Sequence, residues 1–299
     1  MSVNIERKKK NIISKKIIVI SFLAIFILPV VVYLYATKFE PKSILTTWND
    51  IENSNIPDGF HNIKIVQLSD THLGPNFTLQ QLQGLVEQIN ILKPDIVVFT
   101  GDLIDHFGTY HSEREQAKAI LSQICAPLGK YAVFGNHDRG GGGSRLYKKY
   151  MEEAGFTVLV NEVKKITVAN GNHITVSGLD DFLLGKPQIQ RTLQQLRSQD
   201  FNLLLVHEPD VADQIRKYPV DFQISGHSHG GQVQIPFIGP IVTTSLAEKY
   251  VEGLYLFKDR SKPLQLYVNR GIGTTRMPLR FLSKPELSVF VLKRTNKEI

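Results

Sequence analysis

Seven side chains able to coordinate a cation stand at the ends of predicted strands, most of them short apolar runs: Asp70, His72, Asp102, Asn136, His207, His227 and His229. Carboxylate, imidazole and amide donors with no thiolate among them suit Mn, Fe, Zn or Co. In extended backbone the i, i+2 spacing of Asp70/His72 and of His227/His229 puts both members of a pair on one side, so a single loop can present two donors to one pocket. Gly226, Gly230 and Gly231 let the chain turn tightly around the second pair. One histidine alone is ordinarily a surface or core residue, whereas seven donors placed alike at strand ends form a pattern that chance rarely produces.

The runs that carry these residues read as buried strands delivering ligands to one edge of a sheet. Residues 63–69 end in Asp70, 97–100 in Gly101-Asp102, 131–134 in Gly135-Asn136-His137-Asp138, 201–206 in His207, and 221–225 in Gly226-His227-Ser228-His229. Between the first two, Leu79, Leu82, Leu85, Val86, Ile89 and Leu92 recur at helical spacing behind Thr78, a predicted N-cap. Lys93-Pro94-Asp95 stops that helix, which completes a strand–helix–strand unit suited to parallel pairing. A second helix is expected over 112–125 and places the single Cys125, which has no partner for an intrachain disulfide, in a packed core. The four glycines 140–143 read as a mobile loop beside the site, with Ser144 capping a helix to about residue 154. After residue 156 alternating β patterns dominate, with an Asn170-Gly171 hairpin signal, then helices over 188–198 and 209–217. Two α/β halves that each present donors imply two sheets packed face to face with helices outside.

The net charge of +7 is concentrated at the start: Arg7, Lys8, Lys9, Lys10, Lys15 and Lys16 against Glu6 leave only +2 for the rest of the chain. General nucleic-acid binding is therefore not expected. Residues 17–35 are apolar except Ser21, and a helix of that length spans roughly 28 Å, close to a bilayer core. The reading is a basic cytoplasmic N-terminus over 1–16, a transmembrane signal-anchor over 17–35, a tether with a leading strand over 36–60, and a catalytic domain over 61–299. The positive-inside rule puts that domain outside the cytoplasm, as a single-pass cell-membrane protein whose partner is the lipid bilayer. A cleaved signal peptide is the competing reading, but Ala36-Thr37-Lys38 makes a poor small-residue cleavage site.

In order and spacing the motifs D-x-H (Asp70, His72), G-D (Gly101-Asp102), G-N-H-D (135–138), H (His207) and G-H-x-H (226–229) resemble those of the calcineurin-like metallophosphoesterases, over roughly residues 63–231. Residues 269–275, followed by Pro285-Glu286 and a terminal strand, further resemble the family's bacterial membrane-tethered branch, some of whose members hydrolyse lipid-linked phosphate esters or pyrophosphates. The resemblance implies a four-layer αββα sandwich of two mixed β-sheets with helices outside. It also implies two divalent metal ions, one held by Asp70, His72 and His229, the other by Asn136, His207 and His227. Asp102 would bridge them, and a shared water of lowered pKa would supply hydroxide for in-line attack on phosphorus. His137 is then the group expected to protonate the leaving oxygen, and Asp138 the carboxylate expected to orient its ring. Arg139, Arg270 and Arg276 are candidate phosphate contacts, because a guanidinium fork matches phosphate oxygens. His106 and His111 are placed to edge the pocket.

The expectation is a membrane-anchored phosphoesterase acting on a phosphodiester or pyrophosphate, with a lipid-linked or cell-envelope substrate favoured by local concentration. A metal-binding surface receptor or scaffold without turnover, and a secreted phosphomonoesterase or nuclease, are the alternatives.

Overall fold

A computed structural model describes residues 15–16, 22–110, 114–140, 142–258 and 263–296. Most of the basic N-terminus, the first residues of the expected span, and His111 lie outside them. Two six-stranded mixed sheets face each other. The first has the order β1 (Leu45–Asn53), β14 (Glu286–Arg294), β2 (Lys64–Leu68), β3 (Ile96–Phe99), β4 (Lys130–Ala132), β5 (Phe156–Val158). The second runs β12 (Gly253–Phe257), β13 (Leu264–Val268), β9 (Phe222–Ser225), β8 (Asn202–Leu205), β7 (His173–Gly178), β6 (Glu162–Thr167). Strands β2 to β5 are mutually parallel, as are β7, β8, β9 and β13.

Strands β3 and β8 are buried on both faces, which is why their sequences are near-continuous apolar runs rather than alternations. In β3, Ile96 and Val98 point into the core between the sheets, while Val97 and Phe99 point to the helical layer. The same alternation in β8 sends Leu203 and Leu205 inward and Leu204 outward onto a separate cluster with Leu193 and Ile215. The outer layer over the first sheet is α2 (Leu79–Leu92), α3 (Arg114–Ser122) and α5 (Leu146–Glu153), which bury Leu82, Val86, Ile89, Leu121 and Tyr147. Thr78 caps α2 through a reciprocal box with Gln81. The short helices α6 (Ile189–Leu193) and α7 (Ala212–Ile215) cover the second sheet.

Several local expectations are corrected. Helix α3 ends at Ser122, and the Cys125 amide turns out to donate to Asn90 Oδ1, which leaves Cys125 exposed rather than packed. Ser144 does not cap α5, because its hydroxyl donates back to the Arg139 carbonyl. The helix expected over 188–198 stops at Leu193, and Asn202 Nδ2 collects the Arg197, Asp200 and Pro219 carbonyls to bend the chain into β8.

The apolar N-terminal helix α1 (Phe22–Lys42) runs past Tyr35 and ends on the domain itself. The Ala36 carbonyl accepts from Arg280 N at 2.9 Å, and the Tyr35 ring meets Phe281 edge-on at 6.4 Å. Glu40 is completely buried, and its Oε1 accepts from Ser283 N at 2.6 Å. Residues 45–53 then pair along the whole of β14. The stretch read as a tether is thus built into the sandwich almost from its start, because its strand completes the sheet edge.

Candidate metal centre

All seven candidate ligands converge in the crevice where the two sheets' parallel strands end. Asp70 and His72 follow β2, and Asp102 follows β3. Asn136 to Asp138 follow β4 in the single-turn helix α4 (Asn136–Arg139), while His207 follows β8, and His227 and His229 follow β9. Five of the seven hold left-handed backbone: Asp70, His72, Asp102, His227 and His229, with φ between 42° and 68°. Such conformations cost on the order of 1–3 kcal/mol each and persist where surrounding structure over-determines them. The approach is close enough to require glycine at Gly101 (φ 103°), where a Cβ would lie 2.5 Å from Gly135 N and 2.8 Å from His207 Nδ1.

Hydrogen bonds around the rings decide which nitrogen carries a lone pair. His207 Nδ1 sits 2.6 Å from the Thr100 carbonyl and His227 Nε2 sits 2.8 Å from the Ser245 carbonyl, so each of those nitrogens must be a donor. The two remaining nitrogens, His207 Nε2 and His227 Nδ1, face each other at 3.1 Å. His72 Nδ1 likewise meets Asp105 Oδ1 at 3.2 Å, turning Nε2 toward His229 Nε2 at 3.1 Å. The facing His207 and His227 acceptors need a cation or a proton between them. Among the described residues Asn136 Oδ1 is buried without a hydrogen-bond partner, which also fits a ligand role, while His229 Nδ1 has no partner to fix that ring's tautomer.

Asp102 lies between the two groups. Its Oδ1 accepts from His137 N at 2.8 Å, while Oδ2 stands 3.4 Å from His72 Nε2 and 3.3 Å from His207 Nε2. Burial would raise its pKa, but His207 and His72 override that and hold it well below the usual carboxylate range. Burial would equally lower His207, and Asp102 and Asp70 push it well above the usual imidazole value instead. His227 is held down at about 4, first by burial and then by His207. Cations and protons compete for these same lone pairs. Asp70, Asp102, His72, His137, His207, His227 and His229 form three overlapping groups whose donor atoms lie within 4.8 Å of one another.

The other expected site residues separate. His137 lines the cavity, and its Nδ1 bonds to the Asp105 carbonyl at 2.6 Å. Asp138 does not orient that ring. Its carboxylate accepts from Asp102 N (2.7 Å), Leu103 N (3.0 Å) and Gly135 N (2.9 Å), and so clamps the Asp102 loop to the β4 loop. Arg139 is committed to Asp180, with Nε 2.7 Å from Oδ1 and its guanidinium 3.7 Å above the Phe134 ring. Arg270 Nε is held by Glu286 at 3.0 Å. Only Arg276, of the three arginines, lines the cavity. His106 bonds to Thr109 outside it.

Two contributors escaped the sequence reading. Asp105 touches His72 directly and sits 3.8 Å from His137 Nδ1, and the Asp102-x-x-Asp105 spacing was its one available signal. Arg280 is fully buried beneath the site and donates to the carbonyls of His229, Arg270, Gly271, Gly273 and Ser283. We expect Asp105→Ala to lower metal affinity or turnover by about 10–100-fold, because it frees the His72 ring that the Asp105 carboxylate orients. Titration of the purified variant with Mn²⁺ checks this, and unchanged affinity and turnover would contradict it.

The model of the calcineurin-like phosphoesterase family matches residues 63–231, more than half of the chain and the whole span of these motifs. The chain belongs to that family. As a calcineurin-like phosphoesterase it is a phosphoester hydrolase. It is 47% identical over 264 residues to the uncharacterized metallophosphoesterase YkuE of Bacillus subtilis, covering 88% of this chain and 91% of that one. It is 28% identical to the UDP-2,3-diacylglucosamine pyrophosphatase LpxG of Chlamydia trachomatis, covering 89% and 94%. It is also 28% identical to a transmembrane protein with metallophosphoesterase domain of Danio rerio, covering 88% of this chain and 60% of that one.

Proposed function

We propose that this phosphoesterase is anchored in the cell membrane by α1, with its domain outside the cytoplasm, and cleaves a phosphodiester or pyrophosphate bond of a lipid-linked or cell-envelope substrate. The observation that carries the catalytic reading is the position of Asp102 Oδ2, within 3.4 Å of both histidine groups. Asp70, His72 and His229 fit one divalent ion, and Asn136, His207 and His227 a second, with Asp102 shared. When bound, such ions neutralise phosphate charge and lower the pKa of a water that can attack phosphorus.

The chain's own groups do the rest. Asp70 accepts from the His227 amide at 3.1 Å, which ties the ligand loops of the two sheets together. Thr100, Ser245 and Asp105 hold the imidazoles in the tautomers that face inward. His137, with Nδ1 fixed on the Asp105 carbonyl, keeps its other nitrogen free to carry a proton to the leaving oxygen. Arg276 stands at the cavity wall, where phosphate oxygens can be bound. That cavity, of about 360 Å³, is lined by His137, His227 and His229 and also by Val233, Ile241, Val242, Met277 and Leu279. Such a wall suits an apolar substituent next to a phosphate, and LpxG, whose name specifies a diacylated substrate, is a relative over almost the whole chain.

For His137→Gln we expect turnover about 10²-fold lower with metal content unchanged, as for loss of a general acid. A fall in bound metal would instead place His137 among the ligands. The substrate class is tested by comparing aryl monoesters, diesters, nucleotide-linked pyrophosphates and their diacylated counterparts on protein of defined metal content. Preference for a soluble monoester over every lipid-linked compound would overturn the lipid reading.

A further inference from the structure

One surface feature is unexplained by hydrolysis. The hairpin of β10 (Gln234–Ile235) and β11 (Gly239–Pro240) carries Pro236, Phe237 and Ile238 at its tip. Phe237 is fully exposed and Ile238 is 76% exposed, followed by exposed Ile241 and Val242. Phe237 also holds left-handed backbone (φ 68°), so this turn presents a phenylalanine to the surroundings at a conformational cost. A contiguous apolar tip of this kind marks an interaction surface.

Its base says where that surface lies. Phe281 N donates to the Gln232 carbonyl at 2.8 Å, and Gln234 N donates to the Phe281 carbonyl at 2.9 Å. Phe281 in turn meets the Tyr35 ring, and its neighbour Arg280 donates to the Ala36 carbonyl. The hairpin and the end of the apolar helix α1 are therefore fastened to the same short segment. Lys38, Lys42 and Lys284 are exposed around these contacts, as suits an anionic headgroup layer. Val233, Ile241 and Val242 continue from the hairpin into the cavity wall.

We propose that the β10–β11 hairpin seats its tip in the bilayer interface and opens the cavity toward the lipid surface. This rests on α1 being the anchor. The full chain carrying Phe237→Trp and Trp48→Phe, reconstituted in phosphatidylcholine–phosphatidylglycerol vesicles, tests it by quenching with lipids brominated at shallow acyl positions. Tryptophan emission should fall by roughly half or more, as expected for a side chain about 5–10 Å into the headgroup boundary. Ile91→Trp in the same background is the control, since Ile91 lies at the far end of α2, where the chain returns to the start of β3, and should not be quenched. Protein that floats with the vesicles while the tryptophan at 237 stays unquenched would overturn the hairpin proposal and leave the anchor standing, including the case in which the tip serves a protein partner. Protein that does not associate with the vesicles at all would overturn both.

Discussion

Asp102→Ala is expected to lower turnover of an aryl phosphodiester in Mn²⁺ by at least about 10³-fold, equivalent to about 4 kcal/mol of barrier. The reason is positional. One oxygen, Oδ2, faces His72 and His207 at once, while Oδ1 receives the His137 amide, so removal disconnects both donor groups and His137 together. Asp102→Asn separates these contributions, since it retains an oxygen for the His137 amide but loses the charge that a bound cation would need. The asparagine variant should remain almost as inactive as alanine and hold less metal by elemental analysis. Full turnover in either variant would contradict the central role given to this carboxylate. His227→Ala should show a comparable loss by removing one of two facing imidazole lone pairs.

The second large effect concerns stability. Arg280→Ala should destabilise the chain by about 3–5 kcal/mol, the range found when one partner of a buried charge arrangement is removed. Arg280 supplies donors to five carbonyls, including that of His229, and burial depresses its pKa to about 9 against the opposing pull of Asp70 and Glu40. Without it, the carbonyls of Arg270, Gly273 and Ser283 lose their donor among the described residues, and the buried Glu40 loses an opposite charge that acts on it. Glu40→Gln combined with Arg280→Met should therefore cost less than the sum of the two single changes. Denaturant unfolding in detergent micelles measures this, and additive effects would show that α1 and the His229 loop are independent.

Legibility differed sharply between parts of the site. Asp70, His72, Asp102, Asn136, His207, His227 and His229 were readable because each follows a predicted strand, and strands buried on both faces, such as β3 and β8, advertise themselves as apolar runs. The helix α2 was readable from its period and its Thr78 box. Arg139 was misleading: adjacency to the Asn136-His137-Asp138 motif says nothing about Asp180, which lies beyond β5, β6 and β7 and takes the guanidinium. Asp138 misled in the same way, since its three partners are backbone amides that carry no residue identity. Arg280 sits between Leu279 and Phe281 in a short segment with no chemical motif, and only the return of that segment under His229 buries it.

What the amino-acid order alone determined is therefore the set of donors, the strands that end on them, and an apolar helix of membrane length, because ligand type and hydrophobic periodicity are local properties. Tertiary structure alone decided which imidazole nitrogens face inward, which arginine reaches the cavity, and that the chain after α1 is locked into the sandwich instead of hanging from it. Those outcomes depend on hydrogen bonds and ion pairs between residues tens to hundreds of positions apart, such as Glu40 with Ser283, and no local pattern encodes them.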